Sequence, residues 1–456
     1  PVRAGRDLPL LFRKFPARFG GPDFFLYSPF NGKPIQGKGQ AMIRVLFEDE
    51  HFVNLLPLVY FRPVWELRCG ITTLAEKLKG DPQAEWRQLP RTYLDRDGRD
   101  HAWLKALPEN LELLLVNGRW LADAETARAI EALSTAADYR VLTNGKTLLA
   151  LRCSAAEVRG HLDKGVLNSR SLLKKFPART IDATVINYIW EAVSRNGEQI
   201  VRDWESLGRP AEKSGKIYDG VHLVEPQKIH IAAGAVLKPG VVVDAEAGPV
   251  WIDRDVTVMA NAVLEGPLYI GPGSTIKIAA KIYENTTIGP VCKVGGEVEG
   301  CIIHGYSNKQ HDGFLGHAYL GEWVNLGADT NNSDLKNNYG NVTVQLNGHS
   351  IDTRERFVGL MMGDHSKTGI NCMLNTGTIV GVSCNIYGAG LPPKFVPSFS
   401  WGSAEGLSRY NFEKAKALAA TVMGRRKVDF DAYQEQLFEG ARELAREVEQ
   451  GTLLGG

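Results

Sequence analysis

The side chains with the most chemical promise lie between positions 306 and 328. The segment reads Tyr306-Ser-Asn-Lys-Gln-His311-Asp-Gly-Phe314-Leu-Gly, and Gly321-Glu-Trp-Val-Asn325-Leu-Gly-Ala follows it. A histidine, a lysine and an asparagine thus stand among glycines. Histidine exchanges its proton near neutral pH, so it suits general acid–base chemistry. The plain alternative is a surface-loop histidine, one of ten in the chain. A second stretch, Phe61-Arg-Pro-Val-Trp-Glu-Leu-Arg-Cys-Gly70, supplies Arg62 and Arg68, with Lys77 close behind. These three could form an anion site, or an ordinary basic surface around a packed Trp65. A third, Met423-Gly-Arg-Arg-Lys427, could set Arg425 and Arg426 against a phosphate or make a solvated basic turn. Six cysteines occur with no C-x-x-C pair, and no metal-ligand set is expected.

The elements that must position these groups are legible from a period of six. Ile252, Val258, Leu264, Ile270, Ile276, Ile282, Ile288 and Val294 recur at every sixth residue. Four residues after each comes a second beat (Val256, Ala262, Leu268, Ser274, Ala280, Thr286, Cys292, Val298), small or β-branched except at Leu268. That spacing is neither helical nor strand-alternating. It predicts a parallel β-helix in which each hexad forms one short strand and one corner, and three hexads form a coil. Coils stack at strand spacing, about 4.8 Å. The repeat begins around residues 224–236, breaks briefly at 244–249, loosens after Val298 and departs from the pattern over 301–311. An Asn-rich excursion runs from Asp329 to Phe357, after which Met362, Thr368, Leu374, Val380 and Ile386 restore the step. Loops thrown out from a rigid solenoid are where function concentrates. Cys292, Cys372 and Cys384 fall on the small-residue beat, so packing accounts for them.

The 456 residues suffice for two or three domains, and a net charge of +1 gives no pointer to nucleic acid or a membrane surface. No apolar run approaches the ~20 residues of a spanning helix, and no secretory signal is visible; a cytoplasmic location is expected. Residues 1–41 carry Arg3, Arg6, Arg13, Lys14, Arg18, Lys33 and Lys38 against Asp7 and Asp23, and read as a basic extension outside the fold. Residues 42–215 alternate strand-like and helix-like segments, with buried strands at 43–47 and 111–116 and helices at 122–133 and 154–162. That alternation predicts a mostly parallel α/β sheet with a crevice after Val116. Residues 216–400 are assigned to the solenoid. Residues 401–456 are helical by composition and are expected to cap the open end of the β-helix.

The His311 and Asn325 segments resemble the acetyltransferase half of the bifunctional UDP-N-acetylglucosamine pyrophosphorylase and glucosamine-1-phosphate N-acetyltransferase family. That family carries Ser-Lys-x-x-His-x-x-Tyr-Leu-Gly and then Gly-x-x-Val-Asn-Ile-Gly-Ala-Gly on a left-handed β-helix. The domain order agrees as well: a nucleotidyltransferase-like α/β unit, then the hexapeptide solenoid. Lys367-Thr-Gly-Ile-Asn371 is similar to archaeal bifunctional sugar-1-phosphate relatives. The resemblance implies that His311 is the general base and that Asn325 contacts the sugar. Phe314 stands where the family has Tyr. The family's phosphate-binding Arg and Lys are replaced near Tyr283 and Gly300, which leaves Lys281 and Lys309 as the nearest cations. Tyr339, Lys367 and Asn371 are the candidates for the acyl donor.

In the N-terminal half the family's Gly-x-Gly-Thr-Arg phosphate loop is missing after Phe47, and Asn117-Gly-Arg119 stands where a metal-holding Asp would follow the strand. Magnesium prefers anionic oxygens. The resemblance therefore implies an acyl-CoA-dependent N-acyltransferase on an amino-sugar 1-phosphate, with acetyl-CoA as co-substrate. Mg²⁺ would be needed only if the N-terminal domain is active. A homotrimer with no nucleic-acid or membrane partner is expected. A nucleotidyltransferase with an atypical phosphate loop, and a non-catalytic sugar-nucleotide-binding or regulatory protein, are the alternatives.

Overall fold

The computed structural model describes residues 42–79, 84–208 and 211–449. The basic extension expected over residues 1–41 lies outside them.

The N-terminal unit is built on β1 (Arg44–Asp49), whose residues Val45 to Asp49 are all buried. Around it run β2 (Trp86–Leu89), β3 (Glu112–Asn117), β4 (Val141–Thr143), β5 (Leu148–Ser154), β6 (Leu162–Asp163), β7 (Val166–Leu167) and β8 (Ala178–Thr180). The order is β6-β7-β1-β3-β5-β4-β8, with β2 also pairing with β1. β1 is parallel to β2, β3 and β7, and β4 to β8. β5, however, runs antiparallel to both β3 and β4. The sheet is therefore mixed, where alternation of strands and helices predicts a mostly parallel one. The reason is local: β4 and β5 are joined by the Asn144–Thr147 turn, in which Asn144 Oδ1 accepts from the amides of Lys146 and Thr147, and a tight turn enforces antiparallel pairing. The helix Ala124–Thr135 opens on Asp123, whose carboxylate caps the amides of Glu125 and Thr126.

The solenoid is a left-handed parallel β-helix with three sheets. The largest has nine strands, the other two long ones six each. Ile252, Ile270 and Ile288 occupy matching rungs of the first sheet, and Val258, Ile276 and Val294 of another. Between Ile252 and Val298 every residue on both sequence beats is at most 1% exposed. After Ile288 the coils shorten: Ile288 pairs with Ile303 and Val294 with Lys309. The repeat therefore continues through the segment in which the six-residue pattern disappears, in shorter turns.

The nine-stranded face is covered by the N-terminal unit. The helix Asn196–Ser206 lies on it, with Trp204 against Trp251 at 5.7 Å and Asn196 Nδ2 donating to Asn285 O at 2.8 Å. Gly197 permits this approach, because a Cβ there would fall on the Asn285 side chain. The C-terminal end is closed differently from the sequence expectation. A hairpin, Ser400–Ser403 with Gly406–Arg409, pairs onto the terminal strand of one sheet. The helices Phe412–Gly424 and Ala432–Val448 instead run back along the side. The second is wedged between domains: Glu449 accepts from Tyr60 Oη at 2.7 Å and from Ser398 at 2.8 and 2.9 Å, and Phe438 packs on Phe61. No helix among the described residues is long and apolar enough to cross a membrane.

Candidate functional site

One face of the solenoid carries an outward ladder of polar residues. Lys293, Asn308, Asn325 and Lys367 occupy successive rungs, and Asn308 Nδ2 donates to Asn325 Oδ1 at 3.3 Å. Burial lowers the Lys367 ammonium to about 8, and its Nζ donates to His365 O at 2.7 Å. Round the next corner the turns stack as well. Asp329 N bonds Asp312 O at 3.0 Å, and Asn371 N bonds Ala328 O at 2.8 Å. The exposed His311 lies in this edge. The fold thus gathers four of the sequence candidates, His311, Asn325, Lys367 and Asn371, along one edge from strands up to 60 residues apart.

Lys309 belongs to the same turn but does not face solvent. It occupies the inward rung above Val294, is 2% exposed, and donates from Nζ to Gly295 O at 3.0 Å and His311 O at 2.6 Å. Burial lowers it to about 8. The expectation that it binds a substrate phosphate is corrected accordingly: it fastens the His311 turn from inside the coil. The histidine ring itself has no hydrogen-bond partner among the described residues. Lys281 and Phe314 lie on the neighbouring face, where Lys281 is paired with Glu297 at 3.1 Å. Tyr339 is 69% exposed on the Asn-rich excursion, and among the described residues no hydrogen bond links it to Lys367 or Asn371.

The excursion contributes elsewhere. His317 Nδ1 meets Asp334 Oδ2 at 2.8 Å and its ring stacks on Phe357 at 5.0 Å, so both ends of the excursion reach one histidine. His304 is a different case, buried in the domain interface beside Tyr319 and pushed well below its ordinary range by burial and by Arg62 and Arg68.

The three cations of the N-terminal anion-site reading are all engaged. Arg62 is 4% exposed and pairs with Asp364 at 2.8 Å and Glu322 at 3.5 Å. Arg68 donates to His304 O at 3.3 Å and Ile71 O at 3.2 Å. Lys77 is ion-paired with Asp203. They hold the N-terminal unit to the solenoid and to the Asn196–Ser206 helix, which replaces the anion-site expectation. At the strand ends the crevice is filled. Arg119, fully buried, clasps Asp49 with Nε at 3.0 Å and Nη2 at 2.6 Å, and Asn117 Nδ2 also donates to Asp49 at 2.9 Å. Glu48 accepts from Val64 N and from Arg91 N and Nε at 3.0–3.1 Å. Both carboxylates that could face a metal here are neutralised by guanidinium groups. Among the described residues no group of three His, Cys, Asp or Glu is placed to hold a metal ion. The residues do not fit Mg²⁺. Pyrophosphate release from UTP and a sugar 1-phosphate with Mg²⁺ should therefore stay at the background rate; rapid release would show that the crevice opens.

Comparison with known proteins places this architecture. Residues 44–210 match the family described as sugar nucleotidyl transferase. A bifunctional sugar-1-phosphate nucleotidylyltransferase/acetyltransferase of Sulfurisphaera tokodaii is 32% identical over 117 residues, 26% of this chain and 28% of that protein. The bifunctional protein GlmU of Methanococcus vannielii is 35% identical over 156 residues, 30% of this chain and 36% of the relative. Over these parts the chain is similar to bifunctional GlmU proteins. A Synechococcus GlmU is 28% identical over 202 residues, 42% of this chain and 39% of its own. The chain thus spans about two fifths or less of the length of the curated relatives it matches. Among solved structures, a UDP-N-acetylglucosamine acyltransferase aligns with 45% of this chain and 76% of its own at 14% identity and a TM-score of 0.32.

Two features of the solenoid were only partly visible in the sequence. One is the His317–Asp334 pair, whose partner lies in the irregular excursion. The other is a group of cations around Arg426, whose Nη2 donates to Asn308 Oδ1 at 2.8 Å and Nη1 to Val291 O at 3.3 Å. The basic Met423–Lys427 segment was the one visible signal for it.

Proposed function

We propose that the chain is an acyl-CoA-dependent N-acyltransferase acting on an amino-sugar 1-phosphate, with acetyl-CoA as donor and the solenoid edge around His311 as its site. The observation that supports this most is the convergence of His311, Asn325, Lys367 and Asn371 on one edge. In the reaction the amine nitrogen attacks the thioester carbonyl. The C–S bond breaks, CoA leaves as its thiolate, and the amine proton passes to His311. Asn325 would hold the sugar, and Lys367 and Asn371 would meet the donor. Free-thiol release from acetyl-CoA that depends on glucosamine 1-phosphate tests the reading; release indifferent to the sugar phosphate counts against it.

One observation favours a second assignment of the base within the same reaction. His317 is oriented by Asp334, as a base is commonly oriented by a third group, while His311 has no such partner. Alanine variants of the two histidines separate the assignments.

A homotrimer built through the solenoid accompanies the proposal. Ile278, Ile370 and Tyr387, 61%, 68% and 47% exposed, line the same edge as His311, and a second copy packed there would cover them while closing the site. Light scattering should return three times the chain mass at micromolar concentration. A monomer would remove both the trimer and the shared site.

A further inference from the structure

We propose that Lys277, Lys293, Arg425 and Arg426 form a binding site for the phosphate or diphosphate group of a substrate, beside Asn308 and the His311 turn. This rests on the acyl-transfer reading for its purpose, though not for its chemistry. The four cations come from two coils of the solenoid and from the turn between the C-terminal helices, so folding alone assembles them. Lys293 and Asn308 are adjacent rungs, and Arg426 is fixed over Asn308 and Val291 O by two hydrogen bonds. The Cβ position of Gly295 lies 2.9 Å from the Lys277 Cβ and 2.7 Å from Gln310 O. Lys277 therefore sits directly below the turn that carries His311.

Among the described residues none of the four is ion-paired with a carboxylate, whereas Lys281 on the next face is held by Glu297 at 3.1 Å. Lys293 and Arg425 are exposed, and Lys277 and Arg426 half-buried. The field of Arg426, then burial, then Lys277 and Arg425, lowers the Lys293 ammonium below its usual range. Four like charges held together without a counter-ion raise the energy of the folded face, and a bound anion relieves that repulsion. The fixed guanidinium keeps further N–H donors, which suit phosphate oxygens.

The test is titration of inorganic pyrophosphate into the full chain. Lys277→Gln combined with Lys293→Gln should weaken the Kd by about tenfold or more, and Arg425→Gln, an exposed change, should weaken it in the same direction. Lys238→Gln serves as the control. It removes a cation from the same face, at the position two coils below Lys277, and should leave the Kd unchanged. Equal affinity in wild type and the double variant overturns the site, as does an equal loss in the control. Competition then names the source. Displacement of pyrophosphate by glucosamine 1-phosphate assigns the site to the sugar phosphate, and displacement by CoA assigns it to the donor. Displacement by neither overturns the substrate role. Because binding is read without turnover, a chain that binds pyrophosphate here but transfers no acetyl group keeps the site and loses the acyl-transfer reading.

Discussion

Replacing His311 by alanine is expected to lower acyl-transfer turnover by about 10²–10⁴-fold, the usual worth of a positioned base. The melting temperature should hardly move, because His311 is exposed. Added imidazole should restore part of the lost rate, which a purely structural role would not allow. Lys309→Met should also reduce turnover with the folded chain retained, since the ammonium that fastens the His311 carbonyl disappears. An alanine variant at 311 with near-full rate, set beside a His317→Ala variant with little, would transfer the base to the His317–Asp334 pair.

The second large effect is on stability. Asp49→Ala leaves the fully buried Arg119 guanidinium without its counter-charge, and removal of one partner of such a pair costs about 3–5 kcal/mol. Denaturant titration should show that loss, whereas Arg128→Ala, which breaks an ion pair with both side chains at least 70% exposed, should cost about 1 kcal/mol or less. A small effect at Asp49 would mean that water reaches the crevice. The crevice would then be open to a nucleotide's metal and phosphates.

The solenoid was legible because every inward position of a regular coil must be filled by a side chain of fixed size, so Ile252 to Val294 print their period on the sequence. It became illegible where the coil shortened and a lysine took an inward rung. Lys309 looks like a surface cation in sequence, and only the register above Val294 shows that its ammonium is capped by backbone carbonyls. The same limit misled the reading of Arg62, Arg68 and Lys77. Three cations close in sequence suggest an anion site, but two of the groups that neutralise them lie at Asp203 and Asp364, and no spacing rule connects those positions. The candidate site was half readable. His311 and Asn325 stand in recognisable segments, but Lys277 and Lys293 join Arg426 only through the way the C-terminal turn folds back. The helical composition of residues 412–448 was plain, yet composition does not say which surface a helix covers. The Glu449 contacts to Tyr60 and Ser398, not any need to cap the coil, set its course.

On the proposed function, this chain's chemistry lies on the solenoid edge and not in the strand-end crevice. One reaction mixture tests it most directly: the purified chain with acetyl-CoA, glucosamine 1-phosphate, UTP and Mg²⁺, read by product mass. The expected products are N-acetylglucosamine 1-phosphate and free CoA, with no nucleotide sugar. Any nucleotide sugar, or no acetylated product, would contradict it.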